Sequence, residues 1–219
     1  RVHVRELLEL PTPDGLHVLR ATASPLRSPE GALDGAVLVF SDVTESVAAA
    51  RALDHAANHD ALTGLPNRVL LHERLNLALS RLQRRGGSTA ILFLELNRFK
   101  HINDNLGHRA GDAVLRIIAQ RLLALCRDTD TVARWGGDEF VLLMEDVGGL
   151  DGAATAATKV VDALTQDIVL DESFGNITLP SAGSVGVVIA PQDGTDLDGL
   201  VSKADMAMYR AKAQPQACF

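Results

Sequence analysis

The segment Arg134-Trp135-Gly136-Gly137-Asp138-Glu139-Phe140 constrains the fold more than any other. It joins two runs of strand character, Thr131–Trp135 and Glu139–Glu145. Adjacent glycines between strands predict a tight hairpin, because a primed turn needs positive φ at its centre. A hairpin in mid-chain excludes a purely parallel sheet. Helical periodicities are interleaved with strand runs on both sides. The expectation is therefore an α+β domain with a split βαβ, ferredoxin-like core and a mixed, mainly antiparallel sheet flanked by helices.

The 219 residues fall into three zones. Residues 1–45 carry strand runs at Arg5–Leu10, His17–Ser24 and Gly35–Phe40, separated by the turn signals Pro13-Asp14-Gly15 and Pro29-Glu30-Gly31. This is an antiparallel meander, too short to stand alone as a sheet domain and so the end of a truncated one. Residues 46–59 belong to a connecting helix, predicted over 44–58 with Thr44 as its N-cap. Its thin apolar stripe fits a passive linker and a dimerising seam equally well. Residues 60–219 form the main domain. Helices are predicted over Asn67–Arg84, Arg98–Asn105, Ala110–Arg127, Asp151–Thr165 and Leu197–Lys212, with further strands at Thr89–Leu96, Ile168–Leu170, Ile177–Leu179 and Gly183–Ala190.

Composition narrows the function. With 47% hydrophobic residues and mean hydropathy +0.10, the chain has enough apolar material for a core and is not disordered. Unbroken apolar runs such as Ala90–Leu94 reach five residues, so no membrane span is expected. A net charge of −7 lacks the basic field of duplex-binding proteins, which argues against nucleic acid as a partner. Cys126 and Cys218 make neither a disulfide framework nor a zinc site, so the chain reads as reduced and cytoplasmic. It opens on Arg1 without a signal sequence, as a piece of something larger would.

Chemistry concentrates in three places. Asp138 and Glu139 leave the Gly-Gly turn, where a bare backbone admits a phosphate chain; taken alone they also suit the solvent-facing tip of a hairpin. Glu95 closes the apolar run Ala90–Leu94, and a carboxylate there is costly without a partner. If that strand lies beside the hairpin, Glu95 and Asp138 meet at the sheet's end as hard oxygen ligands for a Mg²⁺-nucleotide. The third place is Asn97–Asp112, dense in polar groups and glycine. Asp112 can accept two parallel N–H donors from a guanine edge, or simply sit in a helix's first turn, and spacing does not decide.

At these residues the chain resembles the GGDEF-domain diguanylate cyclases. The matching segments are Asp60–Arg68, Phe99–Asp104 with Gly107-His108 and Gly111-Asp112, the signature Gly136–Phe140, and Ala204–Lys212. The opening meander, with Phe40–Glu45, resembles the last strands and exit motif of a PAS sensor domain. The resemblance implies condensation of two GTP into cyclic di-GMP by a homodimer, with Mg²⁺ (Mn²⁺ able to stand in) as cofactor. It makes Asp138 a metal ligand and base, assisted by Glu139. It puts Glu95 and the Leu96 carbonyl at the metal, Asn103 and Asp112 at guanine, and Arg98, Phe99 and Lys212 at the phosphates. Arg127 and Asp130 resemble the RxxD motif through which such enzymes bind their own product.

Three residues depart from the family pattern: Glu95 and Asn97, where aspartate is usual, and Gln216, where a phosphate-binding arginine is expected. They imply a weakened enzyme. They also keep a second reading open: a degenerate module that binds GTP or cyclic di-GMP and regulates a neighbour such as a C-terminal EAL phosphodiesterase.

Overall fold

The computed structural model describes residues 4–213, so Gln216 and Cys218 lie outside the described residues. The chain divides into two compact units, Arg1–Ala57 and Asn58–Phe219.

In the first unit, β1 (Val4–Thr12), β2 (Gly15–Arg27) and β3 (Leu33–Asp42) form the antiparallel meander, followed by α1 (Thr44–Asn58). The Pro13-Asp14 turn is closed by Thr12 opposite Gly15. Pairing of Leu8 with Leu19, Ala21 with Phe40 and Ala23 with Leu38 sets these side chains on one face of the sheet, while Leu7, Val18, Val37 and Val39 lie on the other. Thr44 is not the N-cap that the sequence suggested. It lies inside α1, and its hydroxyl accepts from the Val18 amide while donating to Asp42. Asp42 takes the Thr44 amide instead, at 2.9 Å. Those two bonds, with His17 beside them, lower its carboxyl to about 2.

The second unit runs α2 (Arg68–Arg85), β4 (Thr89–Leu96), α3 (Phe99–Leu106), α4 (His108–Leu125), β5 (Thr131–Gly136), β6 (Glu139–Met144), α5 (Leu150–Thr165), β7 (Ile168–Val169), β8 (Thr178–Leu179), β9 (Gly183–Ala190) and α6 (Leu197–Lys212). Its central sheet has the order β5-β6-β4-β9. Every pairing in it is antiparallel, so the parallel ladder of a mixed sheet is not found among the described residues. Two helices, α3 and α4, connect β4 to β5 while β6 lies between those strands in the sheet, which is the split βαβ arrangement.

The unbroken apolar run of β4 is explained by burial on both faces. Leu92 and Leu94, with Phe140 and Leu142 of β6, pack against Val114, Ile118 and Leu122 of α4 and Ala157 and Val160 of α5. Ile91 and Phe93, with Val141 and Leu143, pack against Leu71 and Leu75 of α2 and Leu200 and Ala204 of α6. Each fully buried side chain of this size stabilises by about 1.5–3 kcal/mol. The same alternation fixes the direction of the next residue: Glu95 projects to the α2/α6 face.

Helix ends differ from the sequence reading where glycine intervenes. Gly107, at φ 82°, separates α3 from α4, a conformation that glycine adopts without strain. It lets α4 begin at His108, before the expected Ala110. Asp112 therefore sits beyond the first turn, and the macrodipole does not account for it.

Candidate functional site

The hairpin is real, but its centre is displaced by one residue. Gly136 pairs with Glu139, so the turn residues are Gly137 and Asp138, and a register shift between Arg134 and Gly136 absorbs Trp135. Of these residues only Gly137 has positive φ, 50°, the sign pattern of a type II′ turn and not of the doubly positive turn that two glycines suggest. Asp138 is thus held in the turn itself, and Glu139 opens β6.

β4 pairs with β6 so that Glu95 faces Glu139, and the Leu96 amide donates to the Asp138 carbonyl at 3.2 Å. Directly opposed like charges repel. The effect is visible on both acids of the signature. Burial, then the charge of Glu95, raises the Asp138 carboxyl above its ordinary value. Burial and the charges of Glu95, Asp138 and Asp205 raise Glu139. Lys212, at the end of α6, relieves both acids, and Arg134 also relieves Asp138; the Lys212 Nζ lies 2.6 Å from Glu95 Oε1. Among the described residues no three His, Cys, Asp or Glu side chains are grouped as a ready metal site. The hard oxygens of Glu95 and Asp138 nevertheless suit Mg²⁺ if phosphate oxygens complete its shell.

Two residues with no assigned role in the sequence reading hold the turn in place. Arg134 donates from Nε and Nη2 to the Gly137 carbonyl, at 3.1 and 2.7 Å, and from Nη1 to both carboxylate oxygens of Asp60. Asp60 in turn accepts from the Thr63 amide and hydroxyl. Burial raises the Asp60 carboxyl, but these bonds outweigh it and leave it below its ordinary value. Behind the turn, Trp135 has Arg68 over its ring at 4.2 Å and stacks on His72 with centroids 5.6 Å apart. Adjacency to the glycines was the available signal for Arg134; nothing in the sequence linked it to Asp60.

The nucleotide-facing candidates lie on the α3–α4 hairpin. Arg98 adopts a left-handed conformation, φ 60°, just ahead of α3, where Phe99 is the first helical residue. The first amides of a helix have no intrahelical acceptor and suit phosphate. Asn97 accepts a bond from the Ser184 hydroxyl at 3.0 Å and is tied into the sheet. Asn103 packs against Gly111: a Cβ there would stand 2.0 Å from Asn103 Oδ1 and 3.1 Å from Phe99 Cζ. Asp112, one residue on, lines a cavity of about 480 Å³ with Arg109, Arg116 and Phe174, whose walls do not include Asn103.

Arg127 and Asp130 lie past the end of α4, not at the helix end that the sequence suggested. They line a cavity of about 220 Å³ together with Glu145 and Lys159. Asp130 is buried, and its two oxygens accept the amides of Arg127 and Glu145 at 2.9 and 3.2 Å. That aspartate therefore builds the turn whatever else it binds.

A four-stranded antiparallel sheet with helices on both faces and acids collected at one strand end defines a ferredoxin-like α+β domain. Its family is also clear. Residues 57–218 match the family described as diguanylate cyclase, GGDEF domain. The chain is 42% identical over 171 residues to the bifunctional diguanylate cyclase/cyclic di-GMP phosphodiesterase MucR of Pseudomonas aeruginosa, covering 78% of this chain and 24% of that protein. It is 36% identical over 198 residues to the probable diguanylate cyclase DgcE of Escherichia coli, covering 90% of this chain and 18% of that one. The crystal structure of the TpbB GGDEF domain from P. aeruginosa superposes with TM-score 0.68 at 36% identity, over 71% of this chain and 95% of that one. This chain belongs to the GGDEF-domain diguanylate cyclase family. It spans between about a fifth and two fifths of the length of the curated relatives it matches. No helix among the described residues is long and apolar enough to cross a membrane.

Proposed function

We propose that residues 60–219 form a cyclase domain that condenses two GTP into cyclic di-GMP, with two domains apposed as a homodimer. In each bond-forming event a 3′-hydroxyl attacks an α-phosphorus, the bond to the β-phosphate oxygen breaks, and pyrophosphate leaves. The observation that carries this reading is the meeting of Glu95, Asp138 and Glu139 at one sheet end, with Lys212 against them.

Asp138 and Glu95, with the Leu96 carbonyl, would hold Mg²⁺ or Mn²⁺, which when bound neutralises the triphosphate and polarises its α-phosphorus. Asp138, its carboxyl already raised by burial, is suited to take the proton of the attacking hydroxyl, with Glu139 supporting it. The Arg98–Phe99 backbone and Lys212 hold phosphates, while Asn103 and Asp112 read guanine. Arg127 and Asp130 take cyclic di-GMP as an inhibitor, the guanidinium forking onto phosphate. Residues 1–45 are the closing strands of a PAS sensor and 46–59 its output helix, in a cytoplasmic protein. Incubation of the chain with GTP and Mg²⁺ at dimer-forming concentrations, with products identified by mass, tests the assignment; cyclic di-GMP and pyrophosphate are the expected result.

A second reading is favoured by one observation: glutamate, not aspartate, stands at position 95 and is engaged by Lys212. A domain that binds GTP or cyclic di-GMP without turnover, regulating an adjoining EAL phosphodiesterase, would behave so. Binding of GTP by a dimeric sample that forms no product would select this reading.

A further inference from the structure

The pairing of Lys212 with Glu95 joins two groups to which the proposed function gives different ligands. Glu95 projects from the end of β4 on the α2/α6 face, and Lys212 closes α6 on that face with Nζ 2.6 Å from Oε1. The contact is partly solvated, at 43% side-chain exposure for the lysine and 22% for the glutamate, so the ammonium is free to swing away without unpacking the helix. Its charge also acts on Asp138 and Glu139. An ammonium and a divalent cation on one carboxylate repel each other at a few ångströms, where Coulomb energies are large even with solvent screening. A triphosphate offers the ammonium a more highly charged acceptor than a single carboxylate.

Resting on the metal reading of Glu95, we infer that Lys212 is a resident cation which blocks metal binding at Glu95 until a nucleotide triphosphate draws it away. The lysine moves from Glu95 to phosphate, and the freed carboxylate takes the metal. Nucleotide and metal affinities are thereby coupled, and the coupling is reciprocal. The domain would bind little free cation and acquire it together with its substrate.

The test is Mn²⁺ binding followed by electron paramagnetic resonance on the intact chain, with and without guanosine 5′-(α,β-methylene)triphosphate. Lys212→Met should bind Mn²⁺ at least about fivefold more tightly than the parent without nucleotide, the lower end of typical coupling. The gain in Mn²⁺ affinity on adding the analogue should shrink by a similar factor. Lys212→Arg, which keeps the charge, should behave like the parent. Unchanged or weaker Mn²⁺ binding by Lys212→Met without nucleotide would overturn the proposal while leaving the metal reading intact. Absence of Mn²⁺ binding in parent and variants even with the analogue would instead remove the metal reading, and the proposal with it.

Discussion

Arg134 and Asp60, 74 residues apart in the chain, form a two-contact ion pair with Nη1 at 3.0 and 3.1 Å from the carboxylate oxygens. The same guanidinium holds the Gly137 carbonyl, so one side chain fastens the acidic turn to the loop before α2. Arg134→Ala leaves Asp60 half-buried without its cation and should cost about 1–3 kcal/mol in urea unfolding. Arg134→Lys, lacking the fork, should not restore the turn or turnover. Asp60 also carries a pH signature. Its carboxyl is held below its ordinary 3.8 in the folded state, so its contribution is present above that value and is lost as pH falls below it. The variant should show less acid loss than the parent; equal acid profiles and equal stability would mean that the pair does not hold the turn.

Asp138 should show the opposite sign. Burial and Glu95 raise its carboxyl, so the folded state is penalised as pH rises above the ordinary value of 3.8. Asp138→Asn should therefore raise Tm at pH 7, and the gain should disappear in acid where the parent is protonated. Turnover should fall at least about a hundredfold, as when a general base is removed. A lowered Tm at pH 7 would contradict the repulsion described at this turn.

How far the sequence disclosed this arrangement depends on the range of each interaction. The apolar run of β4 and the glycine pair were legible because strand burial and turn geometry leave local marks. Placing two such strands side by side brought Glu95 to the hairpin with Asp138 as its expected neighbour, but the register that sets it opposite Glu139 was not anticipated. The exact turn did not follow, because the register shift that makes Gly137-Asp138 its centre arises from pairing with β6. Thr44 looked like a cap for the same reason: its true partners, Val18 and Asp42, are fixed by the meander. Asp60 and Asp205 carry no local mark of their charges at the site, since each reaches it only through the tertiary fold.

Gly111 offers a separation of folding from recognition. A methyl there meets the movable end of Asn103 and presses more lightly on the tip of the Phe99 ring, so Gly111→Ala should turn the Asn103 side chain aside with only a small shift of Phe99. Removing a helical glycine is itself stabilising by up to about 1 kcal/mol. The Phe99 contact opposes that gain, so the expected outcome is a Tm little changed with GTP affinity reduced about tenfold or more, measured by calorimetry with the methylene analogue. Unchanged affinity would take Asn103 out of the guanine site.

The two residues of the product motif should part company. Arg127→Ala should leave Tm unchanged and abolish inhibition by cyclic di-GMP. Asp130→Ala strips acceptors from two part-buried amides and should cost about 1 kcal/mol or more besides weakening product binding. Thermal melts with and without cyclic di-GMP read both effects. Equal destabilisation by the two substitutions would deny Asp130 its place in the turn.

β4 lies between β6 and β9 with a packed layer on each side. A slip of one residue along either neighbour would exchange its two faces and bury Glu95 among the leucines beneath α4. The carboxylate end of the sheet is accordingly a fixed anvil, with no intermediate settings available to it. Any graded control of this domain must act through parts that can travel, such as the lysine at the tip of α6 or a second body brought up to the strand ends.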